Sequence, residues 1–163
     1  MKKFLKYFLL IIILLFIAIQ FYPKPPKNTG ASVNDISKVH NIPPNVKSIL
    51  ETSCYDCHSN NTRYPWYNNL QPVALWMGNH IKDGKKELNF SEYATYSIRK
   101  KFKKLEEIGE QVKKGEMPLA SYTLIHRNAI LDSEKKKILE DWASAIHDSI
   151  RFKYPADSLV IKK

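Results

Sequence analysis

The hydrophobic pattern divides the chain into a wholly apolar N-terminal run, a proline-rich stretch and a region of amphipathic helices. Tyr7 to Ile19 reads YFLLIIILLFIAI, with no charged side chain, behind Lys2, Lys3 and Lys6. Taken as a helix from Phe4 to Tyr22, this is 19 residues, close to the ~20 that cross a bilayer, and it predicts a transmembrane anchor over residues 1–22. A secretory signal peptide has the same basic and apolar order but needs a small-residue cleavage site. The following residues, Gln20 to Pro26, are bulky and proline-rich, which favours an uncleaved anchor over a cleaved signal. Residues 23–44 (PKPPKNTGASVNDISKVHNIPP) hold few large apolar side chains and predict a flexible linker.

Beyond the linker the apolar spacing turns helical. Val46, Ile49 and Leu50 share a face ahead of Cys54, with Pro43 and Pro44 placed to start the turn. Residues 59–70 mix turn formers and aromatics and predict a loop. A helix from Pro72 to Lys82 puts Val73, Trp76, Met77 and His80 on one face, and Gly84 is expected to end it. From about Ser91 to Lys114, Ile98, Phe102, Leu105, Ile108 and Val112 recur at spacings of three and four, with Gly115 and Pro118 as the stop. A last helix starts at Asp132 or Ser133 and buries Ile138, Leu139, Trp142, Ala143 and Ile146. Alternating strand patterns are nearly absent. The expected fold is all-α: one helical domain over residues 45–150 and a C-terminal tail over 151–163.

Length and composition agree with one domain plus appendages. The chain has 163 residues, 44% of them hydrophobic and 26% charged, which excludes collagen-like and wholly disordered classes. Lysine and arginine number 26 against 16 acids, a formal charge of +10, and this favours acidic partners or anionic lipid. Nucleic acid is not among the expected partners. The run Arg99 to Lys104 reads first as the solvated face of a helix and second as a docking patch for an acidic protein face or lipid headgroups. Only two cysteines occur, too few for a disulfide scaffold.

Those two cysteines carry the chemistry. Cys54-Tyr55-Asp56-Cys57-His58 is a C-x-x-C-H sequence, the attachment signature of c-type haem. Two thiols three positions apart on a helical turn can add to the two vinyl groups of one porphyrin, and the next residue then offers its imidazole to the iron. A thioredoxin-like dithiol needs a βαβ context that the pattern lacks. A zinc site from Cys54, Cys57, His58 and His80 would require adjacent residues to bind one metal, and a disulfide here would close too small a loop to stabilise much. The expected cofactor is one covalent haem c per chain, with His58 as an iron ligand. Because haem is ligated outside the cytoplasm, the expected location is the extracytoplasmic face of the inner membrane.

The opposite axial position decides what such a haem can do. Met117 lies in Gly115-Glu116-Met117-Pro118, an inter-helix loop that can present a thioether inward, and is the favoured ligand. His80 and His126 are the alternatives, each also readable as a structural histidine. Met77 reads as helix packing, His147 as solvated and His40 as part of the linker. A filled sixth position predicts a one-electron carrier that is not an enzyme. An open one predicts a haem-based sensor or an enzyme acting on peroxide or a gas. Tyr55, Tyr64, Trp66, Tyr67 and Trp76 near the motif suit a porphyrin pocket or an ordinary aromatic core.

The stretch IPPNVKSILETSCYDCHSNNTRYPW (residues 42–66), with Trp76, His80-Ile81, Gly84, Leu88 to Glu92, Gly115 to Pro118, Tyr122 and His126 after it, resembles the bacterial haem-binding domain family of small cytochrome-c-like proteins. The likeness covers about residues 42–147. It implies an all-α cytochrome-c-like domain with haem attached at Cys54 and Cys57, His58 proximal and Met117 distal. Electron donors and acceptors are not implied by it.

Overall fold

The computed structural model describes residues 1–28, 30 and 32–159 and is built of helices, with no strand among them. Helix α1 spans Lys2–Ile19, α2 Pro44–Ser53, α3 Tyr55–His58, α4 Val73–Glu87, α5 Ile98–Lys114, α6 Ala120–Thr123, α7 Ser133–Lys153 and α8 Ala156–Leu159, with short 3-10 turns between them. The frame is the pair α5 and α7, packed along each other, with α2 and α8 closing the same core. Each long helix is bounded by local chemistry. Ser97 caps α5 by accepting from the Lys100 amide, and Gly115 ends it in the left-handed region at φ 72°. Asp132 caps α7 by accepting from the Lys135 amide. Leu50, Tyr93, Leu105 and Leu139 are completely enclosed where these helices meet.

Five expectations are corrected. No helix among the described residues is long and apolar enough to cross a membrane. Helix α1 ends at Ile19 rather than Tyr22 and carries three lysines in its first five residues. Its uninterrupted apolar stretch from Tyr7 to Ile19 rises only about 20 Å, against ~30 Å of hydrocarbon.

The segment 23–44 is not a free linker, because Ile36 and several of its polar turn formers find partners in the domain. Ile36 is fully buried against the turn Phe90–Thr95. The Ala94 amide donates to the Asn34 carbonyl at 2.8 Å, and Ser32 and Asn34 both reach the Glu92 carboxylate. Nearer α1, the ring of Pro25 lies on Gly78 so closely that a Cβ there would meet it at 2.4 Å.

Helix α4 continues through Gly84 to Glu87. That glycine serves a close approach rather than a stop, since a Cβ on it would fall 2.8 Å from the Cys57 carbonyl oxygen. The helix expected from Ser91 begins instead at Ile98, because Asn89 caps a separate 3-10 turn, Phe90–Thr95, that buries Phe90 and Tyr93. The C-terminal tail is part of the fold as far as Leu159, which is buried in the core; residues 160–163 lie outside the described residues.

The basic run Arg99 to Lys104 is largely engaged within the domain. Lys100 lies 3.7 Å from the centre of the Tyr96 ring, Lys101 donates to the Ala94 carbonyl, and Lys104 sits between Glu87 and Glu107.

Candidate functional site

The C-x-x-C-H segment is a single helical turn hung from the end of α2. The Cys57 and His58 amides donate to the Cys54 carbonyl at 3.2 and 2.9 Å, which brings both sulfurs and the imidazole into one turn. Helix α3 is pressed onto α4 at Gly84, and so the following segment passes close to His58. The Leu88 carbonyl lies 2.9 Å from His58 Nδ1. A carbonyl can only accept, so Nδ1 carries the proton and Nε2 keeps its lone pair. Burial holds the His58 pKa below its ordinary value, which favours the neutral ring that a metal requires. Phe90 meets that ring edge-on at 6.5 Å.

Two adjoining cavities open beside this turn. One of about 370 Å³ is walled by Leu50, Cys54, His58, Phe90, Val112 and Met117. The other, of about 210 Å³, is walled by Cys54, Cys57, His58, His80, Met117 and Tyr122. Cys54, His58 and Met117 belong to both, so the four residues singled out by sequence converge on one cleft. Helix α5 supplies Met117 through its C-cap, where Gly115 turns the chain and the Glu116 and Met117 amides both donate back to the Gln111 carbonyl.

Neither alternative ligand lines the larger cavity. His80 reaches the smaller one, with its Nδ1 donating to the Trp76 carbonyl at 2.9 Å and its ring tilted against Trp76. His126 Nε2 is 2.6 Å from the Tyr67 hydroxyl, and its ring stacks on Tyr122 at 4.3 Å. With Met77 it lines a third cavity, which lacks Cys54, His58 and Met117. His147 stacks on Phe102 and His40 packs edge-on against Tyr93, so neither is the solvated or linker residue expected of it.

Both cysteines are free thiols. Burial pushes Cys54 up to about 12, with Cys57 adding to the shift, and pushes Cys57 up to about 11, with Asp56 adding. In haem-free protein at pH 8, iodoacetamide should therefore modify Cys57 ~10²-fold more slowly than an ordinary cysteine. The rate should rise about tenfold per pH unit until pH nears 11, as mass spectrometry of timed aliquots would show.

Sequence reasoning missed a set of residues around Asp56. This buried carboxylate accepts from the Arg63 amide and Nε, both at 3.1 Å, and from the Tyr122 hydroxyl at 2.7 Å. It ties the C-x-x-C-H turn to the loop after it and to α6. Its one sequence signal was an acid placed inside the motif.

A neutral histidine with a free Nε2, a thioether sharing its cleft and two thiols on the same wall fit haem iron and a porphyrin edge. Fold and site together define a small all-helical haem domain. The chain belongs to the haem-binding domain family, whose pattern it matches over residues 14–145. That match reaches back through the segment 23–44 into α1, further than the motifs alone had indicated. No curated protein and no solved structure matches the chain.

Proposed function

We propose that this haem-binding protein is a monohaem c-type cytochrome, a one-electron carrier rather than a catalyst, working on the extracytoplasmic side of the inner membrane. The observation that carries the reading is the shared cleft of Cys54, Cys57, His58 and Met117. Cys54 and Cys57 would hold the haem through thioether links, and His58 Nε2 and the Met117 sulfur would ligate its iron. Bound haem supplies an iron couple that gains and loses one electron. The residues supply the rest. The Leu88 carbonyl fixes the His58 tautomer, the α5 C-cap presents Met117, and Leu50, Phe90 and Val112 keep water from the cleft. The formal charge of +10 favours redox partners with acidic docking faces.

A denaturing gel of protein made alongside the haem-ligation machinery tests this directly. The band should keep haem peroxidase staining, and Cys54→Ala with Cys57→Ala should remove it completely. A colourless wild-type band would overturn covalent attachment. In native protein, rapid tight binding of carbon monoxide by the reduced form would replace the carrier with the sensor or small-ligand enzyme.

A further inference from the structure

We propose that the face of the domain around Gln71, formed by Trp66, Leu70, Leu75 and Trp76, rests on a lipid bilayer beside α1. The inference rests on the membrane location in the reading above and is independent of the haem. Helix α1 is apolar beyond Lys6, and its side chains stand away from the domain, so what it can bury itself in lies outside this fold.

Its direction is set by a pair of side-chain amides. Gln20 Nε2 donates to the Gln71 carbonyl and the Gln71 amide donates to Gln20 Oε1, both at 3.0 Å, while Gln71 Nε2 reaches the Tyr22 and Pro23 carbonyls at 3.4 Å. Gln71 is itself buried. Pro25 on Gly78 and Lys27 on Asn69 extend the clasp. The domain therefore does not swing on a tether, and one face stays next to the point where α1 leaves.

On either side of Gln71 the chain carries apolar side chains that stay partly exposed in the fold. Trp66 is 75% exposed and Trp76 46%, with Leu70 and Leu75 between them in sequence. Tryptophan is the side chain that settles at the headgroup boundary, with its ring in the apolar layer and its N–H in the wet one. Lys24 and Lys27 on the adjoining clasp can meet anionic headgroups. A protein partner would also accept exposed tryptophans, but continuity with the 13 apolar residues from Tyr7 to Ile19 selects lipid as the occupant.

Photo-crosslinking of the full chain in native membranes tests the contact. Benzoylphenylalanine is placed in turn at Trp66, Leu75 and, as reference, Phe152, which is 97% exposed on α7. Lipid adducts read by mass spectrometry should be at least tenfold more abundant at 66 and 75 than at 152. Gln20→Ala, which loosens the clasp without touching the core, should lower them at least threefold. Adducts at the level of position 152, or adducts to protein instead, would overturn the inference while the membrane location stands. Protein with intact α1 that stays soluble after salt and alkaline carbonate treatment would overturn both.

Discussion

Met117→Ala is expected to convert a six-coordinate, low-spin haem into one with an open distal side. Reduced wild-type protein should show no carbon monoxide complex at about 1 mM gas, and the variant should bind it near 1 μM, a gain of at least ~10³-fold. The reason lies in how Met117 is delivered. Gly115 turns the chain out of α5, two amides fold back onto the Gln111 carbonyl, and the side chain then walls both cavities that His58 walls. Alanine keeps the backbone of that loop and removes the thioether. His80→Ala and His126→Ala should leave the spectrum unchanged, because neither imidazole lines the larger cavity that His58 and Met117 share. Spectra of the three reduced variants with and without the gas decide the matter. A shift in His80→Ala with none in Met117→Ala would put two histidines on the iron.

What the sequence made legible was whatever side-chain type and spacing encode. The α5 stripe, its Gly115 stop, the Asp132 cap and the C-x-x-C-H turn are local patterns, and each lies where the pattern put it. The cleft was legible as a set of residues, since only a few side chains in the chain can ligate iron. Its geometry was not. The group that orients His58 is the Leu88 carbonyl, and a backbone oxygen leaves no mark in sequence. Gly84 reads as a helix terminator until the Cys57 backbone is seen against it. The segment 23–44 has a linker's composition because it buries little of its own, yet one residue, Ile36, and a few polar side chains are enough to pin it. The apolar N-terminal run shows how a fixed length decides between readings. Lys6 interrupts it, and the 13 residues from Tyr7 to Ile19 are too few to cross hydrocarbon alone.

Asp56→Ala is expected to lower stability by about 3 kcal/mol, although Asp56 touches neither of the cavities that hold Met117. Its carboxylate is buried and accepts three hydrogen bonds. The Arg63 guanidinium is mostly exposed, so it returns to water at little cost, and the ion pair contributes at most ~1 kcal/mol. The Arg63 amide and the half-buried Tyr122 hydroxyl have no such exit. A hydrogen bond to a charged group contributes about 1.5 kcal/mol, and a donor left unpaired costs about as much. The melting temperature should fall about 10 °C for a chain of this length. Tyr122→Phe should cost about half as much, and the double variant little more than Asp56→Ala alone, because both changes remove the same bond. The effect should also reach the iron. Tyr122 lies on α6, which follows the Met117 loop directly, and with that bond gone the loop loses its tie to the turn bearing Cys57 and His58. The variant should therefore bind carbon monoxide measurably while keeping its covalent haem. Thermal melts and gas titration of the two single variants and the double variant give both readouts, and an unchanged melting temperature in Asp56→Ala would show that the three hydrogen bonds do not hold the site together.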